Sequence, residues 1–360
     1  MMPLVDPPGS IEELREVIRS ATGPVIARGA GTKSALLPRE ALRIPMTKLS
    51  GVVEYEPSEY TFTALAGTPV REVSALLSEN GQYLPFDPPF AESGTTLGGI
   101  VAANASGPGR LRYGGVRDFV IGVRFVDGTG RLLRGGGKVV KNAAGFDFSK
   151  LLCGSMGRLG VLTEVSFKVF PAPAARRTAR IHCQNLADAV ACVCQAAGQA
   201  WEAEALEIHP PDTVLLRLMG DAAPLASRMD AALRALQRPA EILTEAEAAE
   251  AWQEAAEFSW MPQDAMLVKI PLTPSRVEAL NAALRGTPLR YSQAGNVAFG
   301  AWQGPPQRLH DKLRSLNCAG VVWKGSEASL RPGAGITAAE RLVKRVFDPP
   351  GRFPDFPSCA

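Results

Sequence analysis

An α+β fold in two domains is what the sequence predicts, and three observations predict it. The chain has 360 residues, and at roughly 150 residues per domain that length gives two or three hydrophobic cores. Up to residue 172, short β-like runs alternate with short helices and glycine-rich turns, without the strand, glycine loop and helix order of a doubly wound sheet. After residue 178 the composition shifts to alanine-rich helices such as NLADAVACVCQAAGQA and TEAEAAEAWQEAAEF. These are interleaved with β-like runs such as TVLLRLMG, DAMLVKIPLT and AGVVWKG, which suits an antiparallel sheet carrying helices. PAPAARR, residues 171 to 177, follows a completed strand and marks the boundary. The expected units are residues 1–172, residues 178–330 and a C-terminal segment, 331–360, packing back on the first unit.

The first unit opens with SIEELREVIRSA, where Ser10 and Glu13 have capping-box spacing and Ile11, Leu14, Val17 and Ile18 share one helical face. In PVIARGAGTKSALLP a strand from Val25 to Ala27 runs into a turn whose Gly29 and Gly31 can adopt positive φ, so that successive N–H groups face one way. In GVVEYEPSEYTFTALAGTPVREVSALLSENGQ, β-like alternation precedes a helix. Thr68 is its expected cap, Pro69 its first residue, and Val70, Val73, Leu76 and Leu77 its apolar face. LPFDPPFAESGTTLGGIVAANASG is an open loop leading into a helix of small residues, and RYGGVRDFVIGVRFVDGTGRLL reads as a hairpin turned at Asp127-Gly128. KNAAGFDFSKLLCGSMGRLGVLTEVSFKVFP supplies a loop, a short helix, a glycine turn and a strand. ITAAERLVKRVFDPPGRFPDF is an amphipathic helix with a proline-rich end.

Composition excludes several function classes. Hydrophobic residues make up 46% of the chain and charged residues 21%, an ordinary globular balance. The net charge of +3 is too small for an electrostatic nucleic-acid binder. MMPLVDPPGSIEELREV is no secretory leader, and no apolar run reaches about 18 residues, so a cytoplasmic protein without direct membrane insertion is expected. Cys153, Cys183, Cys192, Cys194, Cys318 and Cys359 form no C-x-x-C pair, which argues against a disulfide framework and against an iron–sulfur or zinc site within this chain. Cys192 and Cys194 are expected as buried or half-buried thiols on a helix. His182, His209 and His310 have no ligand spacing, so no metal is expected.

GSMGRLG matches G-x-x-G-x-x-G rather than the dinucleotide fingerprint. Three glycine-rich turns, 28 to 33, 94 to 99 and 154 to 160, nevertheless fall in one domain, and together they suggest a long anionic ligand wrapped by backbone segments. The ordered set RGAGTK, DPPFAESGTTLGGIVAANASGPGRLRYGGVRDFVIGVRFVDGTG and KNAAGFDFSKLLCGSMGRLGVLTEVSFKVFP resembles the FAD-binding domain of vanillyl-alcohol-oxidase-type (PCMH-type) flavoproteins, over roughly residues 3 to 172. KNAAGFD followed by GSMGRLGVLTE is similar to the glycolate-oxidase and D-lactate-dehydrogenase branch. The length, the shortened second half and VKRVFDPPGRF resemble the smaller FAD-binding subunit of bacterial glycolate oxidase.

The resemblance implies two α+β subdomains around FAD, followed by a smaller α+β cap domain with an antiparallel sheet. Arg28, Gly29, Ala30, Gly31 and Thr32 match the first pyrophosphate loop. Thr95, Thr96, Gly98, Gly99, Ala103, Asn104 and Ser106 match the wall and floor of the flavin cleft, with Gly98 and Gly99 against the cofactor. Gly160, Val161 and Leu162 match an adenosine-side turn. Lys33, Pro89, Gly94, Gly107, Tyr113, Gly114 and Asp118 complete the implied cofactor set, although Lys33, Asp118 and Lys141 read equally well as solvated side chains.

Two departures from the family pattern shape the expected function. No histidine precedes His182, so FAD is expected to be held non-covalently. No HxGDGNxH-like motif follows residue 172, so no general base can be assigned and the catalytic residues stay unknown. The resemblance then implies an FAD-binding subunit that supports glycolate oxidation to glyoxylate beside a catalytic flavin subunit and an iron–sulfur subunit, cytoplasmic or held at a membrane through those partners. The alternative is a stand-alone flavin-dependent 2-hydroxy-acid dehydrogenase of the D-lactate type.

Overall fold

The computed structural model describes residues 5–137, 146–326 and 329–358. Lys141, most of the KNAAGFD motif and Cys359 lie outside the described residues. The N-terminal half begins with α1 (Ile11–Ser20), whose N-cap Ser10 accepts the Glu13 N–H, while the Glu13 carboxylate accepts from Gly9 rather than from Ser10. Leu14 and Ile18 bury the helix against a small core that includes Val25 and Ile44. Val25 lies on β1 (Val25–Arg28), which pairs in parallel with β2 (Leu42–Pro45). Next come β3 (Val52–Glu56), β4 (Thr61–Leu65) and α2 (Val70–Ser78). Thr68 does not cap α2: its hydroxyl donates to Leu65 O and accepts from Gly51 N–H, and Pro69 takes the cap position.

The chain continues through β5 (Gln82–Tyr83), α3 (Leu97–Ala102), α4 (Arg110–Tyr113), α5 (Val116–Phe119) and the hairpin β6 (Val120–Val126) and β7 (Leu132–Gly136). The Asp127 carboxylate organises the hairpin turn by accepting from the N–H groups of Thr129 and Arg131. After α6 (Phe148–Leu152), β8 (Val161–Lys168) inserts between β4 and β6, giving an antiparallel sheet ordered β3-β4-β8-β6-β7. β9 (Phe170–Pro171) pairs with β5.

The second half is one antiparallel sheet of eight strands with helices. Its elements are β10 (Ala175–His182), α7 (Leu186–Ala197), β11 (Ala205–His209), β12 (Thr213–Gly220), α8 (Ala222–Leu236), β13 (Ala240–Ile242) and α9 (Glu245–Glu257). They continue with β14 (Met266–Pro271), α10 (Val277–Ala283), β15 (Leu289–Ser292), β16 (Val297–Trp302), α11 (Pro306–Ser315) and β17 (Val321–Lys324). The strand order is β13-β10-β12-β11-β15-β16-β14-β17. On α7, Cys192 is buried, whereas Cys194 is exposed, contrary to expectation, because its position points off the apolar face. Among the described residues no helix is long and apolar enough to cross a membrane, and no cluster of His, Cys, Asp and Glu could hold a metal.

The two halves meet through rings and charges. Phe90 packs on Phe258 and Trp323, with centroids 5.0 and 6.5 Å apart. Lys269 on β14 lies over Trp323 and donates 2.9 Å to Asn104 O, and Arg217 on β12 pairs with Asp87. Glu257, at the end of α9, accepts from the N–H groups of Glu92 and Ser93.

The last helix, α12 (Ala338–Phe347), returns to the first half, where Phe347 meets Phe125 and Phe148 and Arg352 O accepts from Val25 N–H at 2.7 Å. Arg158 fastens this return. Fully buried, it donates to Asp355 O (3.0 Å), Leu36 O (3.1 Å), Met156 O (2.6 Å) and Ser329 Oγ (2.8 Å). Arg158→Met would strand three of those carbonyls, and a loss of about 3 kcal/mol of unfolding free energy is expected. Urea titration measures the loss, and limited proteolysis should cut the released tail beyond Asp348 sooner than in the parent protein.

Candidate functional site

Three turns that are distant in sequence frame one cleft. β1 ends at Arg28 because the chain turns at Gly29, whose missing Cβ makes room for the Thr96 side chain, and at Gly31, which has φ +77°. Among the described residues, the backbone N–H groups of residues 29 to 33 meet no protein acceptor. Five successive donors without a protein acceptor, on residues that line a cleft, are suited to hold an anion.

The opposite wall is α3, capped by Thr96 Oγ1, which accepts from Gly99 N–H at 3.2 Å. Gly98 and Gly99 differ in what they spare. A Cβ on Gly98 would lie 2.9 Å from Ala66 Cβ and 3.0 Å from Ala66 O, so that glycine lets the helix pack on β4. A Cβ on Gly99 would meet only the Thr96 and Thr95 hydroxyls, at 3.1 and 3.8 Å, and Gly99 lines the cleft.

The third wall is the turn after α6. Gly154 N–H and Met156 N–H donate to Val101 O and Ala102 O, at 3.0 and 2.8 Å, which ties this turn to the end of α3. Ser155, Met156, Gly157, Gly160 and Leu162 complete the lining, with Ile26, Ala27, Leu36, Leu37, Met46, Ala66 and Ala102 as apolar wall. The empty space, with the solvent at the mouth included, is about 750 Å³, the scale of a cofactor site.

Lys33 is the only ionisable side chain lining this cleft among the described residues. It is 7% exposed rather than solvated. Its Nζ donates to Thr95 Oγ1 (2.8 Å) and Thr32 Oγ1 (3.2 Å) and lies 5.5 Å from the centre of the Phe90 ring. Burial pushes the Lys33 ammonium down to about 7, against the opposing pull of Glu257.

Of the residues named from the sequence, the structure brings Gly29, Ala30, Gly31, Thr32, Lys33, Thr95, Thr96, Gly98, Gly99, Ala103, Gly160 and Leu162 to the cleft. Others serve neighbouring structure. Arg28 backs Gly31, Gly94 turns with φ +80° beside Ala30, and Val161 is buried in the core beneath β1. Asn104 ends α3 with φ +46°, and its side chain accepts from Cys153, whose thiol burial pushes up to about 12. Ser106 Oγ accepts the Val116 N–H at 2.9 Å. Ser106, Pro89 and Gly107 line a separate small pocket between the domains.

Tyr113 donates 3.0 Å to Met219 Sδ, and Asp118 accepts from Gly115 N–H at 2.8 Å beside Gly114, so these three residues shape the α4–α5 corner rather than the cleft. Sequence reasoning missed Ser155, Met156 and Gly157, whose signal was present in GSMGRLG. It also missed Met46, which reaches the cleft only because β2 pairs with β1.

The donors, the buried cation and the narrow small-residue walls fit a long phosphate-bearing cofactor, and comparisons with known proteins agree. The family described as FAD binding domain matches residues 3–136. Glycolate oxidase subunit GlcE of Escherichia coli is 42% identical over 171 residues, 47% of this chain and 49% of that protein. D-2-hydroxyglutarate dehydrogenase of Xanthomonas citri pv. viticola is 33% identical over 173 residues, covering 46% and 36%. Glycolate oxidase subunit GlcD of Bacillus subtilis is 32% identical over 158 residues, covering 43% and 33%. The matched stretch thus spans about half or less of each of these relatives. Among solved structures, alkyldihydroxyacetonephosphate synthase superposes with a TM-score of 0.71 at 16% identity, over 97% of this chain and 76% of that one, a likeness of fold alone. The N-terminal region of this α+β chain therefore carries an FAD-binding domain of the PCMH type.

Proposed function

We propose that the chain is a non-covalent FAD-binding subunit of a glycolate-oxidising complex, working beside a catalytic flavin subunit and an iron–sulfur subunit. The observation that carries this reading is the chemistry of the cleft lining, which has donors and one cation for phosphate but no carboxylate or histidine among the described residues. Bound FAD supplies two-electron redox chemistry. The chain's own residues hold and enclose it: the N–H groups of residues 29 to 33 take up anionic charge, Thr95 and Thr96 orient the Lys33 and Gly99 sides, and Ala102, Ala103 and Met156 form an apolar wall. Oxidation of a 2-hydroxy acid also needs a base placed at the hydroxyl and a cation at the carboxylate.

Beyond Lys33, the two halves meet through the rings of Phe90, Phe258, Phe299 and Trp323. Their centroids lie 4.8 to 6.5 Å apart in tilted and edge-to-face pairs. Similarity to the Escherichia coli protein named as a glycolate oxidase subunit supports the assignment of substrate and assembly.

One observation favours a stand-alone 2-hydroxy-acid dehydrogenase instead. Lys33, held down to about 7, is partly neutral near pH 7 and could accept a hydroxyl proton. Steady-state dye reduction with glycolate and both lactate enantiomers separates the two readings. The isolated FAD-loaded chain is expected to turn over roughly a hundredfold or more slowly than the assembled complex, and comparable rates would establish the stand-alone enzyme.

Two further outcomes test the cleft. Acid precipitation should leave intact FAD in the supernatant, since among the described residues no histidine lines the cleft and the Cys153 thiol is raised to about 12 and engaged with Asn104; flavin in the pellet would show a covalent bond. Gly99→Val should lose FAD while keeping the parent's urea midpoint. Gly98→Val should lower that midpoint by an amount corresponding to about 2 kcal/mol, because it overpacks against Ala66.

A further inference from the structure

Lys33 is a buried ammonium with two hydroxyl partners and no carboxylate in hydrogen-bond contact. Thr32 belongs to its own turn, Thr95 and Phe90 to the loop before α3, and Glu257 at the end of α9 is the charge that acts on it from the second domain. Glu257 is itself engaged by the N–H groups of Glu92 and Ser93 and by the Ser93 hydroxyl. Lys269 lies beyond the Phe90 and Trp323 rings and donates to Asn104 O outside the cleft. A cation so placed, lining a cleft beside five free N–H donors, lacks an anion of its own.

We propose that bound FAD provides that anion, and that FAD binding draws one proton onto Lys33, so that cofactor retention is set by pH. The inference rests on the flavin reading of the cleft. In the free protein, burial holds Lys33 near 7, so close to neutral pH a large fraction of the amine is unprotonated. The negative charge of FAD favours the protonated form and raises the bound-state value above the free one. Protonated protein therefore binds FAD more tightly. Affinity is full and flat below the free-state value, and it falls as pH rises through the window between the free and bound values. The pyrophosphate keeps its charge throughout, so the titrating group is the protein's.

The test is FAD binding by fluorescence quenching from about pH 6 to about pH 9, with calorimetry near pH 8 in two buffers of different ionisation enthalpy. The parent protein should bind with constant affinity up to about pH 7 and then weaken toward tenfold per pH unit, taking up close to one proton per FAD near pH 8. Lys33→Arg, which stays charged, should bind without pH dependence across the range. Lys33→Met should bind at least about tenfold more weakly below pH 7, with a flat profile and no proton uptake. Circular dichroism confirms that each variant is folded. If neither variant folds, the proton count of the parent protein decides alone.

Flat binding by the parent, or no proton uptake near pH 8, overturns the inference while leaving FAD in the cleft. Uptake that persists in Lys33→Met assigns the proton to another group and overturns it too. Failure to bind FAD at any pH would overturn the flavin reading together with this one.

Discussion

A single buried guanidinium joins segments that lie more than a hundred residues apart, and the cleft depends on it. Arg158 reaches the carbonyls of Leu36, Met156 and Asp355 and the hydroxyl of Ser329, which itself donates to Ala35 O. Arginine alone has five donors in a fixed fork and stays charged when desolvated, here with its pKa lowered only to about 10. Two of its acceptors belong to residues that line the cleft. Turning the Leu36 and Met156 carbonyls toward Arg158 satisfies them within the protein, so one side chain both fastens the C-terminal return and braces two segments of the cleft wall.

The small residues of the cleft divide into two kinds with different physical reasons. Gly29 and Gly98 are small because protein atoms, the Thr96 side chain and Ala66, occupy the space a side chain would fill. Gly99 is small on the open side, where a side chain would project into the cleft. Close packing of the walls and clearance for a ligand therefore select the same residue type in neighbouring positions. A glycine pair in the sequence does not say which member does which.

The second domain does more than cover the first. It contributes Glu257, which orders the loop before α3, and Lys269, which holds the end of α3 through Asn104 O. It also contributes the rings of Phe258, Phe299 and Trp323 that close the space beyond Phe90. Glu257 of α9 thereby holds the loop that leads to Thr95, which in turn accepts from Lys33. The electrostatic character of the cleft is thus a property of both halves of the chain, because Glu257 acts on Lys33 from the second, although the backbone donors come from the first.

Local sequence determined the α+β class, the β6–β7 hairpin with its Asp127 turn and the three glycine turns. Each of these rests on periodicity or on backbone freedom within a few residues. It also carried the ordered motifs that resemble FAD-binding flavoproteins. Only tertiary structure decided the rest. It showed which glycines line the cleft, that Thr68 braces β4 instead of capping α2, that Ser106 and Asp118 satisfy backbone groups outside the cleft, and that Lys33 is buried rather than solvated. Burial, desolvation and hydrogen-bond partners are supplied by residues far away in the chain, such as Thr95 for Lys33 and Asp355 for Arg158, and no local pattern encodes them.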